Sequence, residues 1–124
     1  MAQIIAVGMG GFLGAISRFI IGQHLFNPLS KSYTSTLIIN IFGCFLFGYF
    51  VNHSILENYN YPLKEFVLIG VLGGFTTFST FGFEFISQIQ KGQHQTAFTY
   101  VVLSITLGGF GIWLGINIYR FFHN

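Results

Sequence analysis

The residues with chemical potential gather in one stretch, Gly70 to Glu84, which reads GVLGGFTTFSTFGFE. Thr76, Thr77, Ser79 and Thr80 interleave there with Phe75, Phe78 and Phe81, directly after Gly73-Gly74. Hydroxyls both donate and accept hydrogen bonds, and the edge of a phenyl ring carries the positive part of its quadrupole. The paired glycines weaken the backbone and the paired threonines compete for its partners. The spacing therefore predicts a broken helix with freed carbonyls near Gly73 and freed amides near 77–79. Freed carbonyls suit a cation, and N–H groups at a restarting helix suit an anion. Phe78 and Phe81, three apart, share a helical face, and phenyl edges beside hydroxyls would offer a small anion a weak positive potential without a deep trap. Aromatic spacing alone, however, more often marks a packed core.

Asn40 lies in the middle of another apolar run, where its amide must find partners. A helix-packing hydrogen bond would satisfy it; a polar line with Thr36 and an open notch at Gly43, one turn to either side, is the sharper reading. Tyr100, Ser104 and Gly108 recur every four residues and form a second stripe, although each hydroxyl could also bond back to its own helix. Arg18 has the position of a side chain that snorkels to the interface, and a guanidinium in an aqueous vestibule would also draw anions inward. Glu84 is the one acid well inside a span, placed to cap a polar network or to face water. The histidines fall in loops or tails without metal-ligand spacing, and no nucleophilic triad, phosphate loop or paired carboxylate appears, so enzymatic chemistry has little footing.

These residues require a membrane scaffold. The 124 residues are 52% hydrophobic and only 6% charged, against about 25% charged in soluble proteins. A span takes roughly 20 apolar residues, so four spans use nearly the whole length. We place helices near 3–22, 33–53, 63–89 and 96–121, in a single transmembrane domain over 1–124 that is all-α, with the third helix broken in its middle. Asn27-Pro28, the run from Glu57 to Pro62 and Lys91-Gly92 mark the connections. No Lys or Arg precedes Arg18, so the first segment is expected to stay in the mature protein. The scattered basic residues exclude a nucleic-acid surface, and the single Cys44 reads as a packing residue. Four spans put Lys64 and Arg120 on the side of the termini and Arg18, Lys31 and Lys91 on the other. That near balance leaves two readings open: a weak bias that still fixes orientation, or insertion both ways with head-to-tail pairing. Gly10/Gly14, Gly70/Gly74 and Gly111/Gly115 have the spacing for close helix contact, within one chain or at an oligomer interface.

Three segments together resemble the fluoride channel family known as Fluc or CrcB: GGFLGAISRF (Gly10 to Phe19), NIFGCFLFG (Asn40 to Gly48) and GGFTTFSTFGFE (Gly73 to Glu84). The resemblance covers essentially the full length, and the third motif is highly specific. It implies an antiparallel, dual-topology homodimer of four-helix subunits with two pores, carrying fluoride passively out across the bacterial inner membrane. By motif matching, Asn40 is similar to the pore asparagine, and Phe78 and Phe81 to the phenylalanines of the fluoride path, with Ser79 and Thr80 as the hydroxyl residues between them. Gly73 and Thr76 match positions whose backbone carbonyls hold a structural sodium ion at the dimer centre. Arg18 matches a vestibule arginine, and Tyr100 and Ser104 the start of a polar track. Two departures stand out: Phe19 where Tyr is common, and Gly108 where some relatives carry a third hydroxyl. Thr106 lies on a different helical face and is not its substitute.

The alternative is a small dual-topology, proton-coupled multidrug antiporter. It calls for a membrane-embedded carboxylate in the first span, and this chain has none there. A purely structural assembly subunit would leave Asn40 and the broken third helix without a reason beyond packing.

Overall fold

The computed structural model describes residues 1–24, 32–53, 56 and 62–123. Helix α1 spans Ala2–His24 and α2 Ser32–Phe50. The third span begins as a π-helix, Glu65–Leu72, continues through one α-helical turn, α3 (Gly73–Phe75), and resumes after a break as α4 (Phe78–Gln90). Helix α5 spans His94–His123. Four of these stretches are long and apolar enough to cross a membrane: Ala2–Gln23, Tyr33–Phe50, Glu65–Gln90 and His94–His123. The all-helical architecture and the interrupted third span are those the sequence predicts, and among the described residues there is no strand. Helices satisfy their backbone groups internally, which a bilayer demands of anything that spans it.

Glycine decides which helices meet. A Cβ on Gly10 would run into the backbone of Phe66 and Gly70, and one on Gly14 into that of Val71 and Phe75. Reciprocally, Gly70 faces the backbone of Val7 and Gly10, and Gly74 that of Gly11. Backbone therefore rests on backbone where α1 meets the first half of the third span. Gly111 and Gly115 of α5 sit in the same way against Ile41, Phe45 and Tyr49 of α2, with Gly48 facing Ile112 in return. All three glycine pairs are thus used inside one chain, which favours the packing reading of their spacing over the interface reading. With no water to expel between apolar helices in lipid, such close van der Waals contact is the main term holding them together.

Two helix pairs result: α1 with residues 65–75, and α2 with α5, against which α4 also packs. Leu56, Leu68 and Leu72 form a buried apolar cluster, flanked by Leu46, Phe50 and Val67, that joins the two pairs. The turn from α4 to α5 uses Gly92 at φ +72°, the one described residue in the left-handed region, and Gln93 N–H closes it on Gln88 O at 2.9 Å.

Candidate functional site

The break in the third span is two residues long. Thr76 (φ −81°, ψ 158°) and Thr77 (φ −147°, ψ 118°) are both extended. The first half-span is finished by Thr76, whose amide and hydroxyl both donate to Leu72 O at 3.0 Å. The second is started by Thr77, whose Oγ1 accepts from Thr80 N–H at 3.3 Å in an N-cap and donates to Thr80 Oγ1 at 3.0 Å. Ser79 Oγ lies 3.4 Å from the same hydroxyl.

Asn40 holds the break from α2. Its Oδ1 accepts from Thr77 N–H at 2.8 Å and its Nδ2 donates to Thr77 O at 3.0 Å. Because a backbone amide must donate and a backbone carbonyl must accept, the pair also fixes which end of the side-chain amide is nitrogen. One Nδ2 proton remains beyond this pair. At Gly43 the space a Cβ would take is filled by the Thr76 methyl and the Phe75 ring, so the notch expected there is partly closed and opens only towards the cleft described below.

These bonds release two carbonyls. In a continuous helix Gly73 O would accept from Thr77 N–H and Thr76 O from Thr80 N–H. Here the first donor goes to Asn40 and the second to the Thr77 hydroxyl. Gly73 is exposed, and it lines with Thr76, Gly43 and Leu72 a cleft of about 250 Å³. On the other side of the break, the amides of Phe78 and Ser79 open a helix and lack intrahelical acceptors by position.

Phe78 is 82% exposed in the single chain, so it is not core. Its ring lies 5.6 Å from that of half-buried Phe81, which lies 5.1 Å from the ring of Tyr100. Tyr100 Oη then donates to Glu84 Oε2 at 2.8 Å, and Thr36 Oγ1 donates to Glu84 Oε1 at 3.0 Å. A continuous line runs from Phe78 through Phe81 and Tyr100 to a buried carboxyl group that ties α2, α4 and α5. Ser104 shares the Tyr100 face and donates back to Tyr100 O at 2.7 Å, while Gly108 packs against Cys44. Thr106 donates to Val102 O on an exposed face and does not extend the stripe. Arg18 is half-buried one turn past Gly14 and, among the described residues, is not hydrogen-bonded to this line. Ser79 and Thr80 are exposed beside Phe78.

The sequence singles out the two stripes but not their junction. Glu84 is only 6% exposed, and its partners are Thr36, one turn before Asn40, and Tyr100, at the head of the α5 stripe. A lone acid in an apolar span, with two hydroxyl stripes elsewhere, was the available signal.

A helical protein with four membrane-spanning stretches that interrupts one of them near its middle, with freed carbonyls on one side of the gap and phenyl rings and hydroxyls on the other, has the form that membrane proteins use to handle ions. The comparisons narrow this class. The family described as CrcB-like protein, Camphor Resistance (CrcB), matches residues 5–116, and the chain belongs to that family. Among similar proteins, one from Ruminiclostridium cellulolyticum is 43% identical over 93% of this chain and 90% of its own length. Another, from Hydrogenovibrio crunogenus, is 38% identical over 92% of this chain and 88% of its own. A third, from Campylobacter lari, is 35% identical over 97% of this chain and 99% of its own. Each bears the name Fluoride-specific ion channel FluC.

Proposed function

We propose that this protein is a passive, fluoride-selective channel rather than an enzyme or a coupled antiporter. The observation that carries the reading is the line from the Asn40–Thr77 clamp past Phe78 and Phe81 to Tyr100 and Glu84, in a chain whose family relatives are named fluoride channels. Fluoride is small, strongly hydrated and a strong hydrogen-bond acceptor. The remaining Asn40 N–H, the hydroxyls of Ser79 and Thr80, and the edges of Phe78 and Phe81 can replace part of its water shell, and a path that narrow disfavours chloride. No coupling site is needed for downhill export. The antiporter would use an embedded carboxylate that loads and releases protons, whereas Glu84 is engaged by both Thr36 and Tyr100.

The pore is completed by a second, antiparallel copy. A single chain leaves Gly73, Ser79 and Thr80 exposed at the break, and lipid cannot satisfy freed carbonyls and hydroxyls. The balanced basic residues support insertion in both orientations. At the same place the Gly73 and Thr76 carbonyls would hold sodium as a structural ion: both are hard oxygen donors released from their helix, and a second copy would bring two more to the same point. Arg18, beyond the break, would raise the local anion concentration.

Fluoride and chloride efflux from liposomes containing the purified protein tests the reading. Fluoride is expected to leave far faster than chloride; fluoride leaving no faster than from protein-free liposomes, with folded protein present, rejects it.

A further inference from the structure

One polar side chain in the interior is accounted for neither by the fold nor by the path described above. Gln88, one turn past Glu84 on α4, is only 4% exposed, and neither its Oε1 nor its Nε2 has a hydrogen-bond partner. A buried amide with both ends unpaired is costly, and native interiors rarely keep one without a ligand, ion or water to meet it. Gln88 lines a cavity of about 490 Å³ at the α4–α5 turn, together with Tyr33, Thr80, Glu84, Ser87 and Lys91; its two amide atoms are themselves closed to solvent, so the side chain must turn towards the cavity to meet a ligand there. The cavity therefore reaches from the hydroxyls of the break, past the Glu84 junction, to the solvent end of α4.

We propose that this cavity is a staging site in which partly hydrated fluoride waits between the aqueous mouth and the Tyr100–Glu84 junction, with Gln88 as its recognition group. The proposal rests on the fluoride reading above. Its basis is the chemistry of the amide. A bare anion would use only Nε2 and a cation only Oε1, whereas an anion that keeps some of its water uses both: Nε2–H donates to the ion, and Oε1 accepts from a water bound to it. At roughly 30 Å³ per water, the volume leaves room for the ion and several waters. Glu84 lines the same cavity, but its two oxygens already accept from Thr36 and Tyr100, and Lys91 brings a positive charge to the rim. Lys91 would also be favoured at a helix C-terminus for its charge alone, so Gln88 is the residue that decides.

The test uses full-length protein in liposomes loaded with potassium fluoride and read with a fluoride electrode. Wild-type protein that releases no fluoride would end the channel reading itself, independently of this site. Given wild-type flux, Gln88→Met keeps the side-chain shape and removes both unpaired atoms. Its unfolding temperature is expected to hold or rise, while fluoride efflux falls about tenfold, the equivalent of one lost hydrogen bond. Gln88→Glu presents only acceptors and is expected to slow efflux as well. Either variant running at the wild-type rate overturns the proposal, the second by showing that the position serves water or a cation. So does a Gln88→Met loss that comes with a lower unfolding temperature, which would mark Gln88 as structural.

Discussion

Asn40 pairs with Thr77 as a neighbouring strand would, accepting from its amide at 2.8 Å and donating to its carbonyl at 3.0 Å, so a side chain of α2 stands in for the helical bonds that the third span gives up. Asn40→Asp keeps the acceptor but sets a second acceptor against Thr77 O, and Asn40→Leu removes both bonds. Each variant is expected to lose about 1–3 kcal/mol of stability, measured by thermal unfolding in detergent, and to slow fluoride efflux by an order of magnitude or more.

Phe78 and Phe81 separate by their surroundings. Phe78 is exposed in the single chain, whereas Phe81 is sandwiched between the rings of Phe78 and Tyr100. Phe78→Leu is expected to slow fluoride efflux with the unfolding temperature and the proposed dimer intact, because it removes a ring edge but little packing. Phe81→Leu is expected to lower both, with a stability loss of about 0.5–1.5 kcal/mol from the aromatic contacts. Normal flux in both would remove the rings from the path.

Tyr100→Phe deletes the 2.8 Å bond to Glu84 and leaves the rings in place, and Thr36→Val deletes the 3.0 Å bond. Hydrogen bonds to charged groups are worth about 1.5–3 kcal/mol in soluble proteins, and bonds between membrane helices average about 0.6 kcal/mol. The losses in unfolding experiments should therefore lie between those bounds. The double variant is expected to fall short of the sum of the singles, since both act on one carboxyl group.

Gly70→Ala would place a methyl group in the backbone of Gly10, whereas Gly109 has open space around its Cα. Gly70→Ala is expected to cost about 1–3 kcal/mol, or to prevent folding altogether, and Gly109→Ala to be neutral. Expression yield and thermal unfolding measure both.

Single cysteines placed at Gln3 and at Lys91 in a Cys44→Ala background report orientation, since the two positions lie at opposite ends of the bundle. Antiparallel pairing requires that each be labelled from one side of the membrane in about half of the molecules. Complete labelling of one and none of the other would exclude the proposed dimer.

Much of this was legible in the sequence for physical reasons. Low charge and long apolar runs leave few choices but spanning helices, and Gly73-Gly74 followed by Thr76-Thr77 is a poor helix in any setting, so the break fell where its residues put it. The partners were harder to read. Residue spacing places Thr36, Asn40 and Gly43 on one face but does not say that Thr76 partly closes the notch, that Asn40 meets the Thr77 backbone, or that Glu84 joins α2 to α5, because each depends on how two helices lie against each other. The start of the third span was equally hidden. The π-helix at Glu65–Leu72 has no local sequence signature that we can identify, although it ends where Gly70 and Gly74 press on α1.

The two helix pairs are joined in two different ways. The leucine cluster at Leu56, Leu68 and Leu72 is held by contacts without direction, which tolerate a small slide. The Asn40–Thr77 bonds are directional and weaken steeply once bent. A shear between the pairs, such as a change in bilayer thickness would impose, is therefore absorbed at the leucines and registered at the break. Of the two junctions, the Asn40–Thr77 bonds at the gap are the one that fixes the relative position of the helix pairs.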